Sequence, residues 1–227
     1  MSNFFAFPTV NSWEENVFQL TKAGIITVIV LMVLLVLAAI LLRPKKERTT
    51  KTATKQLVFS GVAMALAIVT SEIKFARLPM GGSITLFSML FIVLIGYWYG
   101  AKAGLLTGFA YGLLQFVLDP VFYSPVQLLV DYPLAFGALG LSGFFGKKKH
   151  GLLIGYIAGV LGRYFFAVLS GIVFFGHYAP EGTPVLVYSL GYNATYIVPE
   201  AVVTIILLVI PAVAGAMKRV KVMTTEA

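Results

Sequence analysis

The chain has 227 residues, of which 59% are hydrophobic and only 11% charged, with a formal net charge of +8. That balance excludes an ordinary soluble domain, which carries far more charge, and leaves room for several membrane helices of roughly 20 apolar residues each. With no cysteine, disulfides and Cys-based metal or nucleophile chemistry are excluded too. The positive charge sits mostly at segment ends, which fits anionic lipid and membrane topology better than nucleic acid.

The segment 1–19 is aromatic and polar, with Trp13, Glu14 and Glu15. The run from Thr21 to Leu42 is long and apolar and ends in a basic tail. A signal peptide would carry its positive charge before a shorter apolar core and a small-residue cleavage site after it. The run is therefore expected to be a retained membrane helix. Arg43, Lys45, Lys46, Arg48, Lys51 and Lys55 oppose the single acid Glu47 in the next stretch, which reads as a cytoplasmic linker.

Six further apolar segments follow, at 56–73, 84–99, 101–118, 125–145, 152–175 and 194–217. Lys or Arg marks alternate connections: 43–55, Lys102, Lys147–Lys149 and Lys218–Lys221. The connections around Gly81, Asp119 and Glu181 then fall on the other side. Alternation predicts an all-α integral membrane protein of seven helices, with the N-terminus outside and the C-terminus cytoplasmic. Two units are expected: 1–55, holding the extra N-terminal helix and linker, and 56–227, a six-helix domain.

Small residues recur at four-residue spacing in Gly104, Gly108 and Gly112, in Gly151, Gly155 and Gly159, and in Ala63 and Ala67. Such stripes let helix backbones approach closely. The segment 124–140 carries Asp131, Tyr132 and Pro133 in an otherwise apolar helix pattern. An ionisable group in a membrane-length segment is costly and usually functional. An acid beside an aromatic, followed by a proline that loosens the helix, suits a cationic or amine-bearing solute. Tyr123, Asp131, Tyr132, Phe175, Tyr188, Tyr192 and Asn193 all fall in the outer half or in outer loops, giving an outward-facing pocket with aromatic walls if those loops converge. Arg163 and Glu200 reach similar depth from opposite ends of their segments, so an ion pair between them is expected, with Asp131 as a rival partner for Arg163.

No Walker A motif, metal-ligand spacing or paired catalytic carboxylates are present, so nothing supports an enzyme acting on a soluble substrate. An ion-coupled carrier usually shows internal repeats and interrupted helices, and no clear repeat is visible. A solute-binding subunit driven by a separate ATPase fits better. An ion-coupled carrier and a ligand-free structural membrane protein stay open as alternatives.

The segments LPMGGSITLFSML (78–90), YGLLQF (111–116), PVQLLVDYPLAFGALGLSGFFG (125–146), SGIVFFGHYAPEG (170–182) and YSLGYNATYIVPE (188–200) resemble the thiamine-specific substrate-binding subunits of energy-coupling factor transporters. The likeness runs in order over about 56–218. It implies a six-helix bundle with an outward-facing vitamin site in the plasma membrane of a prokaryote, with no cofactor and no metal. It also implies partners: a transmembrane coupling subunit and two cytoplasmic ATPases. The resemblance carries the family's acid to Asp131 with Tyr132 beside it, an aromatic to Phe175, and a loop tyrosine and asparagine to Tyr188 and Asn193. Ala63 and Ala67 match the small-residue motif that docks on the coupling subunit. Asp131 is shorter than the Glu of some relatives, and Phe175 and Ala167 stand where some carry Trp and His. A pyrimidine precursor or another related vitamin is therefore an alternative ligand to thiamine.

Overall fold

The structure, a computed structural model, describes residues 6–10, 16–27, 30, 50–78 and 82–225. Most of the N-terminal helix expected over 21–42, the linker up to 49 and the connection at Gly81 lie outside the described residues. Ahead of them, β1 (Ala6–Val10) and β2 (Asn16–Leu20) pair antiparallel, with Pro8 opposite Phe18.

The helical body begins with α1 (Thr50–Glu72), six residues before the expected start at Gln56, so that it runs through the boundary placed between the two units. A two-residue ribbon, β3 (Ala76–Arg77) and β4 (Ser83–Ile84), follows. Then come α2 (Ser88–Tyr99), α3 (Ala101–Leu118), α4 (Pro125–Phe145), α5 (Gly151–Phe174), α6 (Val185–Val209) and α7 (Pro211–Thr225). Five of these, α1, α3, α4, α5 and α6, are long and apolar enough to cross a membrane. Helix α2 has 12 residues, because Ile84 belongs to the ribbon and Phe87 turns into the left-handed region at φ 63°. At ~1.5 Å per residue α2 is about 18 Å long, well short of a hydrocarbon core of roughly 30 Å.

The last segment departs most from expectation. One apolar helix was expected over 194–217. Instead α6 starts at Val185, behind Pro184, and the chain breaks at Ile210 before Pro211 opens α7. Tyr188, Tyr192 and Asn193, read as loop residues, are therefore helical. The polar run from Tyr188 to Asn193 interrupts the apolar pattern without interrupting the helix, and Pro211 stops it because proline cannot extend the hydrogen-bond ladder.

Helix α4 sits at the centre, against α2, α3 and α5. The glycine stripes explain how closely it is held. A Cβ on Gly108 would fall 2.3 Å from Phe136 O, and one on Gly112 2.3 Å from Tyr132 O. On the other flank, a Cβ on Gly159 would lie 2.8 Å from Leu139 O. Backbone contact of this kind is how membrane helices gain packing energy where no hydrophobic drive exists between them. A single residue, Gly100 at φ 93°, joins α2 to α3. The buried core gathers Met89, Ile92, Tyr111, Leu139, Tyr156 and Ile197. Large apolar side chains such as Leu57, Phe165, Val203 and Ile206 face outward, as a lipid-facing surface requires. The chain is an all-α membrane bundle with two small β ribbons attached.

Near the end of the chain, Lys221 Nζ lies 3.9 Å from the Tyr97 ring centre and donates to Gly146 O, tying α7 to α2 and α4.

Candidate functional site

A cavity of about 170 Å³ opens where the C-terminal ends of α1, α3 and α5 meet the N-terminal halves of α2, α4 and α6. By the measure in which one water needs ~10–15 Å³, it holds on the order of ten waters, the space of a small organic ligand.

Its acid is Asp131. Ser124 opens α4 as a helix cap, its Oγ accepting from Gln127 N at 3.1 Å, with Pro125 in the first turn. Pro133 has no N–H to donate and its ring would clash with the carbonyl four residues back. There the helix widens into a π-helical turn over Val130–Leu134, a form frequent at functional sites. Asp131 sits in that turn. Gln127, fully buried, donates from Nε2 to Asp131 Oδ2 at 2.6 Å and to Val121 O at 3.1 Å, while its Oε1 accepts from Tyr123 N at 3.0 Å. One glutamine thus fixes both the carboxylate and the loop before α4. Tyr132 OH donates to Asp119 O at 2.9 Å and accepts from Val121 N at 2.8 Å. Its ring packs edge-on against Phe116.

The aromatic wall comes from two places. Phe175 ends α5 and faces the cavity; Tyr123 meets it edge-on at 5.0 Å and Tyr178 stacks on it at 6.4 Å. Tyr123 does not line the cavity. It supports Phe175 from behind and shares a 2.9 Å hydrogen bond with Tyr178 OH. On α6, Tyr188 and Tyr192 lie face to face at 6.1 Å, and Tyr192 OH accepts from Gly82 N at 3.2 Å, which brings the β3–β4 ribbon over the cavity.

Asn193 lines the cavity, with its hydrogen bonds largely spent within the chain. Nδ2 donates to Ser189 O and Ala167 O, and Oδ1 accepts from Tyr196 OH at 2.6 Å. Both donors are used, so Asn193 clamps α6 to α5 and offers a ligand at most one acceptor lone pair.

Five of the six expected site residues, Asp131, Tyr132, Phe175, Tyr188 and Asn193, meet at one cavity. Sequence reasoning missed Ser71, Gln115, Ser170 and Tyr196 in its lining. Their signal was present as polar residues in apolar helices, but at positions indistinguishable from helix ends. Lys74 and Asp119 form the rim in a 2.5 Å ion pair.

The expected pair of Arg163 and Glu200 does not form. Arg163 lines the cavity with its guanidinium 4.3 Å from the Phe136 ring centre. The Glu200 carboxylate, 2% exposed, accepts from Thr85 Oγ1 at 2.7 Å, Ser88 Oγ at 2.9 Å and Met89 N at 3.0 Å. The depth estimate failed because α6 begins at Val185, which places Glu200 about 22 Å along its helix at ~1.5 Å per residue. Its charge instead meets the N-terminus of α2, where the helix dipole favours an anion.

Ala63 and Ala67, expected as partner contacts, are not exposed on the surface of α1. Both are buried within the bundle: Ala63 beside Ile95, Tyr99 and Ala103, and Ala67 against the core, with its carbonyl accepting from Tyr111 OH. Their small size serves internal packing. The exposed small residues of α1 are Gly61 and Ala65, two positions away and so on the opposite face of the helix.

Residues 57–219 match the family model described as thiamine transporter protein (Thia_YuaJ). The chain belongs to that family. The thiamine transporter ThiT of Bacillus subtilis strain 168 is 42% identical over 165 residues, spanning 66% of this chain and 84% of the relative. The ThiT of Lacticaseibacillus paracasei is 34% identical over 117 residues, 44% of this chain and 58% of the relative. A solved ThiT structure from Listeria monocytogenes superposes with a TM-score of 0.57 at 25% identity, covering 70% of this chain and 96% of that one. In this family member the matched region begins within α1 and ends within α7, so the two N-terminal strands lie beyond it.

Proposed function

We propose that this chain is the thiamine-binding membrane subunit of an ATP-driven vitamin importer, a transport protein and not an enzyme. The observation that carries the reading is the cavity between α4, α5 and α6. It sets an acid, Asp131, on one side and aromatic faces, Phe175 and Tyr188, on the other, in a chain of the thiamine transporter family. Thiamine joins a flat aminopyrimidine to a permanently cationic thiazolium. The aromatic faces suit the cation, each such contact being worth roughly 0.5–2 kcal/mol. Arg163 lies 12 residues before Phe175 on α5, about 18 Å at ~1.5 Å per residue. The cationic ring is therefore best placed at the Phe175 end, with the neutral pyrimidine deeper.

The cavity mouth faces the exterior in this reading. The opposite end of the bundle carries Lys102, Lys147, Lys148, Lys149, Lys218 and Arg219, as the cytoplasmic face of a multi-pass plasma-membrane protein does. Uptake requires a transmembrane coupling subunit and two ATPases. The surface of α1 around Gly61 and Ala65 supports their docking, since it is exposed and a Cβ on Gly61 meets nothing within 4 Å.

The test is calorimetric titration of the purified chain with thiamine, its phosphates and other vitamins. Tight saturable binding of thiamine supports the reading. Absence of binding, with tight binding of a different vitamin, overturns it.

A further inference from the structure

Ser170 is the one cavity-lining side chain whose hydroxyl is buried and unpaired among the described residues. It is 1% exposed, on α5, five residues before Phe175. A helical serine normally returns its hydroxyl to the carbonyl one turn back. Its neighbour Ser189 satisfies itself on a backbone carbonyl, donating to Val168 O at 2.8 Å. Ser170 does neither, and lies beside Asp131 without reaching a hydrogen bond of ordinary geometry. A buried hydroxyl without a partner is costly, so a polar group that arrives with a ligand and completes it gains accordingly.

The Asp131 carboxylate is half engaged in the same sense. Gln127 takes Oδ2, and no side chain among the described residues is hydrogen-bonded to Oδ1. The two open valences differ in kind. A carboxylate oxygen only accepts, whereas a serine hydroxyl can donate. Side by side, they form an acceptor–donor pair for a ligand edge that presents a donor next to an acceptor. An exocyclic amine adjacent to a ring nitrogen is such an edge, and the aminopyrimidine of thiamine has one.

We infer that Ser170 is a ligand-binding residue that works beside Asp131: its hydroxyl donates to the ring nitrogen beside the exocyclic amine while Asp131 accepts from that amine, and the carboxylate sets the discrimination. The inference rests on the thiamine reading above and adds a discrimination to it. Replacing the amine by an oxo group turns the donor into an acceptor and the adjacent ring nitrogen into an N–H. Asp131 then sets an acceptor against an acceptor, a mismatch that polar sites punish strongly, while the serine hydroxyl turns to accept from the N–H.

The experiment compares the full chain with Ser170→Ala, each titrated with thiamine and with its 4-oxo analogue, alongside thermal unfolding with and without ligand. The expected parent strongly prefers thiamine. The variant should bind thiamine on the order of tenfold more weakly and keep the preference for it over the oxo analogue, which Asp131 sets. Its melting temperature without ligand should be unchanged or higher, because the hydroxyl removed had no partner. A parent that does not bind thiamine overturns the transport reading and this inference together. A parent that binds thiamine, with a variant that binds it as tightly, overturns the role of Ser170 alone. A variant that binds thiamine more weakly and also melts lower without ligand makes Ser170 a packing residue, which also overturns it.

Discussion

Gln127 Nε2 and Asp131 Oδ2 lie 2.6 Å apart, one helical turn from each other on α4, and the glutamine is fully buried. The carboxylate is therefore held from beneath. Asp131→Asn keeps the shape and removes the charge; it also sets an amide against an amide. A charge-assisted hydrogen bond is worth about 1.5–3 kcal/mol, so thiamine affinity should fall roughly ten- to a hundredfold. Gln127→Leu should weaken binding through the same carboxylate. Calorimetry on the double variant should then show much less than the summed loss, whereas full additivity would separate the two residues.

Phe175→Ala removes the aromatic face at the cavity mouth and should cost thiamine affinity by about tenfold. Tyr123→Phe deletes only the hydroxyl shared with Tyr178 behind that wall. It should change affinity less than threefold, the ~0.5 kcal/mol at the low end for a neutral hydrogen bond that does not touch the ligand. Equal losses from both would mean that Tyr123 touches the ligand.

Glu200→Gln leaves the three groups that donate to its carboxylate facing a partly inverted partner, at a cost on the order of 2 kcal/mol. Arg163→Met removes a cation over Phe136, worth roughly 0.5–2 kcal/mol. Since the two charged groups are not paired, thermal unfolding of the double variant should show additive losses. Recovery of stability on combining them would mean that the two charges are paired after all.

On α1, Ala65→Leu and Ala63→Leu should part company. Ala65 is exposed, so the larger side chain should leave thiamine binding intact and abolish uptake by the assembled transporter. Ala63 is buried, and an added isobutyl group there overpacks the core by about 1–3 kcal/mol. It should lower the melting temperature of the isolated chain. Loss of uptake from Ala63→Leu alone, with stability unchanged, would return the docking surface to the buried pair.

Much of the bundle was legible because long apolar runs and alternating basic ends leave little choice of class. Asp131, Tyr132 and Phe175 stood out because each is a polar or ring-bearing side chain at a place where the membrane tolerates little else. What failed did so for local reasons. Tyr188 to Asn193 dilutes the apolar pattern at the start of α6, which hid about two and a half turns of helix and carried Glu200 to the wrong depth. Ala63 and Gly61 are two residues apart, on opposite faces of α1, and sequence spacing alone does not say which of the two small-residue stripes turns inward. The unpaired hydroxyl of Ser170 has no signature at all in sequence, because it is defined by what fails to reach it.

The widened turn at Val130–Leu134 has a bearing on what evolution or engineering can alter here. An α-helix advances about 100° per residue, so one extra residue accommodated in a turn rotates everything before it by that amount relative to everything after. Gly137 and Gly140 keep their seats against α3 only because the bulge absorbs this offset. Asp131, on the other side of the offset, keeps its aim into the cavity. Deleting one residue between Val130 and Leu134 would regularise the helix and swing the acid about a quarter-turn toward a neighbouring helix, although every side chain of the site would still be present. The angular phase of α4 is thus a determinant of binding in its own right, carried by the number of residues in one turn.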